Sequence, residues 1–473
     1  MGKAFALTVA LLVLAAAGMC LAYGDVYQPH DQVVLTENVL YGDKTQAEGL
    51  TVAYSSTYDN RLFWDTTYVV GETPAMDTAY TFYASGHDTQ APQRFEGVLL
   101  ESYVEYGWDF DSQQEQTGLA RAYKELYEAT ALGEESTRVV YLKDYMEYYP
   151  IGATLDLPGT QLSWSSYYYE TDLADPEPGT ERYVIQAFQE FFQIPVLEEE
   201  QIEISVAKAG NGVSWGSGST ESDSFYVMTQ SVLTEAACYF TFGSHTQQGN
   251  LVDTSRIPGG YGVYCLPYFD GATQNGRICG AKADELAMVY PLDPAVETLY
   301  LGVNKDQTKL LLHTRENGKY TVTVIEIATM TALQKLELME WPKDESGFFV
   351  YEGEDYFAAV LCWDQLAVVA CNKEGEYDLR FAVPIGNEEA TDINLEPEAV
   401  TEYDGQKLVV VNFLRDERRR LETCGFYLAV YDAAGLSYFG EYKSSLNAEY
   451  GNESYFRRCL PVVNTPLRVH WGA

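Results

Sequence analysis

The amino-acid sequence predicts a mainly β protein assembled from repeated sheets. Strand-like runs recur about 48 residues apart in the C-terminal half of the chain. Elsewhere, aromatic or β-branched residues alternate with polar ones, which is the pattern of half-buried strands. With 46% hydrophobic and only 21% charged residues, the chain of 473 residues can fold around a substantial core.

The first predicted element is an apolar leader. Ala4 to Tyr23 carries no charge, follows Lys3 and precedes Asp25, and about twenty such residues can cross a bilayer as a helix. We predict that residues 1–24 are a signal anchor, because a cleavable signal peptide usually has a shorter apolar stretch of about 7 to 15 residues. Cys20-Leu21-Ala22 fits a cleavage site, so a signal peptide on a secreted protein is the alternative.

The charge beside the leader predicts its orientation. Lys3 is the only positive charge nearby, and positively charged flanks stay on the cytoplasmic side. We therefore expect a single-pass protein of the cell membrane with an extracellular C-terminal domain. In this scheme residues 25–49 are a linker and residues 50–473 form the ectodomain.

The N-terminal half of the ectodomain is predicted to be strand-rich and to contain two inserted helices. Its strand-like runs begin at Leu50, Arg61, Tyr80, Gly97 and Val139. Gly118–Gly133 and Glu181–Phe192 instead place apolar residues at helical spacing on one stripe. An α+β domain over 50–204, followed by propeller-like repeats over 205–473, is the alternative to one continuous ectodomain.

The C-terminal half carries the repeat. Its runs begin at Tyr261, Lys309, Phe357 and Lys407, and a further one begins near Tyr455. In the unit from Leu299, strands are separated by turns at 305–307 and 316–318, where Asn317-Gly318 supplies positive φ angles at low cost. Several short strands in each period of about 40 to 50 residues are typical of a β-propeller. The length accommodates seven or eight blades.

Two segments carry a resemblance to known propellers. Val324 to Leu338 (VIEIATMTALQKLEL) and Leu428 to Gly440 (LAVYDAAGLSYFG) each contain an aliphatic strand, a small-residue turn and a second strand. They resemble the outer two strands of β-propeller blades, within a region of about 200 residues that starts at Tyr261. As a whole, the chain is similar to uncharacterised exported single-anchor proteins of gram-positive bacteria.

Charge and cysteine content limit the partners and cofactors. A net charge of −40 repels phosphate backbones, so we expect no nucleic-acid partner. The cysteines form no C-x-x-C motif and the five histidines are scattered, so we predict no metal site and no cofactor. A hairpin centred on Ala272 would place Cys265 opposite Cys279, which makes this pair the disulfide candidate.

Aromatic residues supply the candidate binding site. Tyr alone occurs 38 times, and an exposed aromatic cluster suits contact with a protein or a carbohydrate. The ligand-binding candidates are Trp164, Tyr167, Tyr168 and Tyr169. No residues are assigned to catalysis, although Asp109 and Asp111 would share one face of a strand.

The sequence favours a binding or sensory ectodomain that is anchored in the membrane outside the cytoplasm and is non-catalytic. Its ligand would be a protein or a glycan. Because acidic and aromatic residues are abundant, a hydrolase that acts on glycans or cell-envelope polymers through paired carboxylates is one alternative. A structural envelope protein is the other. The hypothesis that the protein is an enzyme is therefore less favoured than the hypothesis that it is a binding protein.

Overall fold

In a computed structural model of the chain, the described residues are 2–26, 33–72, 76–83, 85, 97–102, 118–157, 160–164, 169–171, 187–210, 212–267, 282–342, 347–390, 393, 395–416, 421–450, 459–462 and 467–472. Contacts divide the chain into two compact units. The first is Met1–Gln93 together with Asp344–Ala473, and the second is Arg94–Lys343. This division differs from both predicted domain schemes, since the first unit combines the two ends of the chain.

The prediction of a mainly β protein is confirmed. In chain order, the strands of the described residues are β1 (Leu35–Gly42), β2 (Leu50–Tyr58), β3 (Leu62–Val69), β4 (Met76–Phe82), β5 (Gly97–Ser102), β6 (Glu135–Tyr141), β7 (Ile151–Leu157), β8 (Thr160–Trp164), β9 (Tyr169–Thr171), β10 (Gln201–Ala209), β11 (Gly212–Ser219), β12 (Thr229–Leu233), β13 (Ala237–Phe242), β14 (Gly262–Pro267), β15 (Ala287–Pro291), β16 (Glu297–Val303), β17 (Lys309–Glu316), β18 (Lys319–Glu326), β19 (Thr331–Glu340), β20 (Phe348–Glu352), β21 (Tyr356–Leu361), β22 (Gln365–Cys371), β23 (Tyr377–Pro384), β24 (Val400–Tyr403), β25 (Leu408–Asp416), β26 (Leu421–Asp432), β27 (Gly435–Ser444), β28 (Cys459–Pro461) and β29 (Arg468–Trp471).

Helices are few among the described residues. The α-helices are α1 (Gly2–Val26), α2 (Gly118–Ala129) and α3 (Ser445–Tyr450), with a short helical segment over 187–191. Three 3₁₀ helices are Lys44–Ala47, Leu142–Asp144 and Ala283–Glu285. The leader is thus helical, but no helix in the described part of the chain is both long and apolar enough to cross a membrane.

The described strands of the first unit pair antiparallel and form three sheets. Their strand orders are β28-β2-β3-β4 with β29 also on β2, β20-β21-β22-β23, and β1-β27-β26-β25-β24. The sheet ending in β1 and the sheet containing β2 share an apolar core that includes Val52, Tyr54, Val411 and Phe426. Two sheets of this unit therefore take strands from both ends of the chain.

Strand β1 lies within the segment predicted as a linker, so that part of the prediction is corrected. It pairs with β27, with Leu35 opposite Ser444. Glu37 accepts hydrogen bonds from the hydroxyls of Tyr438 at 3.2 Å and Tyr442 at 3.5 Å, and it forms an ion pair with Lys44. These contacts offset the entropy of ordering a segment whose apolar pattern is weak.

In the second unit, the strands that the structure describes form four antiparallel sheets. Their strand orders are β5-β7-β8-β9, β12-β13-β14-β15, β16-β17-β18-β19 and the three-stranded β11-β10-β6. Helix α2 buries Leu119, Ala122 and Tyr123, the stripe predicted from helical spacing. Of the second predicted helix, 187–191 is helical and 181–186 lies outside the described residues.

The predicted repeat is confirmed in two units and shifted in a third. Strands β16–β19 and β20–β23 lie where the alternation and the turns predict them. Lys309, Phe357 and Lys407 mark the second strand of a sheet, but Tyr261 precedes β14, which is the third strand of its sheet. The evenly spaced runs therefore do not all correspond to the second strand of a sheet. In the sheet of β14, the long β13–β14 connection places the third strand where the spacing predicts the second.

Candidate functional site

The aromatic cluster predicted to bind a ligand is only partly described. Trp164 ends β8 and lies opposite Tyr169, the first residue of β9. Tyr167 and Tyr168 lie outside the described residues, as do Asp109 and Asp111. The backbone register brings Trp164 and Tyr169 together, and binding by this cluster stays a prediction.

The register predicted around Cys265 is wrong. Strand β14 pairs with β15 and places Cys265 opposite Ala287, whereas a hairpin centred on Ala272 would place position 279 there. Cys279 lies outside the described residues, so the disulfide itself stays a prediction.

The cysteines of this sheet are poor nucleophiles. Burial raises the pKa of Cys265 to about 11 and that of Cys238 to about 12. A thiol reacts as its thiolate, which is scarce at neutral pH under these conditions. The described residues also contain no group of three or more His, Cys, Asp or Glu side chains able to hold a metal ion.

A polar cleft among the described residues of the second unit is a candidate site. Its volume is about 470 Å³, within the range of about 300 to 1,000 Å³ that is usual for small-ligand sites. Its lining residues come from a loop after β13, from the start of β16 and from the β17–β18 hairpin: His245, Thr246, Gln247, Gly249, Ala295, Glu297, Arg315, Asn317 and Gly318. We call this site the hairpin cleft.

The loop wall of the hairpin cleft is held by Asp223. Its carboxylate accepts hydrogen bonds from the Thr246 hydroxyl, from Asn250 Nδ2 at 2.8 Å and from the Gln248 backbone N–H at 3.0 Å. Slight burial disfavours ionisation of Asp223, but these hydrogen bonds outweigh it and lower its pKa. An ionised carboxylate thus fixes the loop that presents His245 and Gln247.

The second wall is tied to the neighbouring sheet. The Ser244 hydroxyl donates to the Pro294 carbonyl at 2.7 Å, just before Ala295. The Thr298 hydroxyl donates to the Phe242 carbonyl at 3.2 Å, just after Glu297. Because both ends of this short stretch are fastened, the wall is formed before any ligand arrives.

The third wall is the β17–β18 hairpin. Asn317 and Gly318 have φ angles of 51° and 76°, which confirms the predicted Asn-Gly turn. Arg315 lies directly opposite Glu297 across the two strands, and their side chains form an ion pair at 3.4 Å. The Arg315 guanidinium also lies 5.3 Å from the centre of the Trp341 ring, where it can make a cation–π contact.

The hairpin cleft combines hydrogen-bond donors and acceptors with little net charge. Arg315 and Glu297 offset each other, and each side chain is 42% exposed, so both remain accessible. His245, Gln247 and Asn317 add imidazole and amide groups. This lining can bind a polar ligand through several hydrogen bonds.

Sequence reasoning missed the hairpin cleft. The sequence predicts only a turn at Asn317-Gly318, and His245 belongs to no motif. The lining comes from three segments spread over about 70 residues, and it is the strand register that places Glu297 opposite Arg315. The one available signal was the opposite charge of two residues that flank predicted neighbouring strands.

Comparisons with known proteins leave the family open. No protein-family model matches the chain, and no curated protein matches it. Solved structures with some likeness include a protein from Lactobacillus plantarum (10% identity, 89% of this chain and 98% of that one, TM-score 0.30). A second is the periplasmic gluconolactonase of Pseudomonas aeruginosa (10% identity, 89% of this chain and 99% of that one, TM-score 0.29). A third is the Swd1 β-propeller domain from Myceliophthora thermophila (8% identity, 50% of this chain and 68% of that one, TM-score 0.27). At these TM-scores none of them carries an argument about this chain.

Proposed function

We propose that this protein is a non-catalytic binding or sensory protein whose ligand binds in the hairpin cleft. The observation that carries the proposal is the fixed polar lining, in which hydrogen bonds to Asp223, Pro294 and Phe242 hold the walls in place. A site whose groups are positioned in advance loses less entropy when a ligand binds.

The contacts of the lining favour binding over catalysis. The Ser244 hydroxyl is buried and donates to a carbonyl, and the Thr246 hydroxyl donates to Asp223. Glycoside hydrolysis needs two carboxyl groups, about 5 Å or about 6.5 to 9.5 Å apart. Among the described residues that line the cleft, Glu297 alone carries a carboxylate, and it is paired with Arg315.

The remaining parts of the proposal rest on the sequence. The leader would export the chain and hold it in the membrane, with the ligand-binding part outside the cell, or would be removed to leave a secreted protein. Net charge −40 speaks against a nucleic-acid partner. We further propose that the four- and five-stranded meander sheets are blades of a propeller-like ectodomain, with seven or eight blades expected from the length.

Two experiments test this function. The purified full chain is screened against glycan and peptide arrays, and each hit is repeated with Arg315→Ala, which should weaken saturable binding. Hydrolysis of a polysaccharide that one carboxylate substitution abolishes would overturn the non-catalytic assignment, and the absence of any saturable ligand would favour a structural envelope protein. Cell fractionation with N-terminal sequencing tests the anchor against a cleaved leader.

A further inference from the structure

The charges that line the hairpin cleft restrict the ligand it can take. Arg315 and Glu297 are 3.4 Å apart, so the lining has one positive and one negative group side by side. An anion would be repelled by Glu297 in the cleft and by the net charge of −40 that the whole chain carries. A cation would be repelled by Arg315. A neutral ligand avoids both conflicts.

The shape of the cleft restricts the ligand further. Gln247, Gly249, Asn317 and Gly318 are exposed at its rim, so a bound molecule can extend beyond it in solvent. Apolar ligands of similar size usually bind in enclosed sites lined by hydrophobic side chains. The open polar rim instead suits part of a longer, hydrated molecule.

The hydrogen-bonding groups point to hydroxyls. The Glu297 carboxylate can accept a hydrogen bond from one hydroxyl, and the Arg315 guanidinium beside it can donate to the neighbouring hydroxyl. The side-chain amides of Gln247 and Asn317 can each donate and accept. A sugar ring presents adjacent hydroxyls that both donate and accept. Building on the proposed binding function, we propose that the hairpin cleft binds a neutral saccharide unit of a longer glycan.

The test is a charge series of disaccharides titrated into the full chain by calorimetry. The probes are N,N′-diacetylchitobiose and cellobiose (neutral), digalacturonic acid (anionic) and the glucosamine dimer (cationic). We expect the neutral sugars to bind best. Glu297→Gln should shift the preference toward digalacturonic acid, and Arg315→Gln toward the glucosamine dimer. Each substitution should weaken binding of the neutral sugars about tenfold, because it removes a charged hydrogen-bonding group.

The controls separate the two proposals. Lys319 and Glu337 form a second ion pair, at 2.6 Å, on strands β18 and β19 and outside the cleft lining. Lys319→Gln and Glu337→Gln should leave sugar affinity and charge preference unchanged. Wild-type preference for a charged dimer, with the substitutions in the cleft still weakening binding, would overturn the neutral-saccharide inference and keep the binding function. Failure of every probe, together with empty glycan and peptide arrays, would overturn both.

Discussion

Two meanders that follow each other in the chain, β16–β19 and β20–β23, share a strand pattern and differ in their interiors and hairpin ends. In the first, strands β17 and β18 bury a polar pair, since His313 Nδ1 lies 2.7 Å from the Tyr320 hydroxyl. In the second, the facing strands bury apolar side chains such as Ala358, Val360 and Val368.

Their hairpin ends differ as well. The β17–β18 turn is the polar Asn317-Gly318 pair that lines the hairpin cleft. The β21–β22 turn has positive φ at Cys362 and Trp363, and the Trp363 ring packs 5.2 Å from Phe349. The repeat therefore specifies strands, while the few residues at each hairpin end decide whether a meander offers polar chemistry or an apolar surface.

The largest expected effect is in the apolar meander. Phe357 is 1% exposed and packs on the Tyr377 ring at 6.2 Å. Phe357→Ala should lower the free energy of unfolding by about 3 to 5 kcal/mol, because it removes buried surface and leaves a cavity. Urea denaturation measures this. Leu379→Ala on β23, where the side chain is 39% exposed, is the control, and equal losses in both variants would contradict a packed interior.

Alanine substitutions at two glycines compare the stability of the two hairpin ends. Gly318 has a φ of 76° and open space around it, so Gly318→Ala should cost about 1 to 2 kcal/mol from backbone strain alone. Gly347 has a φ of 125°, and a Cβ there would clash with the Trp363 indole, so Gly347→Ala should cost about 2 to 4 kcal/mol. Thermal unfolding ranks them, with Gly210→Ala as a control that has neither feature. The reverse ranking would show that Trp363 is not held against Gly347.

Disrupting the buried pair of His313 and Tyr320 should lower the free energy of unfolding by a smaller amount. Tyr320→Phe removes the hydroxyl that bonds His313 Nδ1 and should cost about 1 to 2 kcal/mol, since the imidazole nitrogen loses this partner inside the sheet. Tyr226→Phe makes the same chemical change at a side chain that is 61% exposed and should have no measurable effect in urea denaturation. Unchanged stability in Tyr320→Phe would show that the hydrogen bond contributes nothing.

The same histidine makes the polar meander sensitive to pH. Burial lowers the pKa of His313 to about 3. Between about pH 6.5 and pH 3 the unfolded chain takes up a proton that the folded chain does not, so stability falls as the pH falls. The wild type should lose up to about 1.4 kcal/mol per pH unit more than His313→Gln in this window. Parallel pH profiles of the two proteins in urea denaturation would contradict the burial of a neutral imidazole.

Strand positions in both meanders were predictable because alternation and turn residues are local properties. The Asn317-Gly318 turn and the run around Phe357 follow from a few neighbouring residues. The pairing of β1 with β27 was not predictable, because Glu37 and Tyr442 are about 400 residues apart and their attraction has no local pattern. The hairpin cleft was not predictable for the same reason, because the contact of Glu297 with Arg315 depends on the register of β16 and β17.

Hydrogen exchange of the full chain, with and without saturating N,N′-diacetylchitobiose, tests the central claim most directly. If the hairpin cleft is the binding site, exchange should slow in peptides that cover 244–250 and 315–320 and should stay unchanged in the 361–366 hairpin. Slowing confined to 361–366, or to the strands around Trp164 and Tyr169, would contradict the claim.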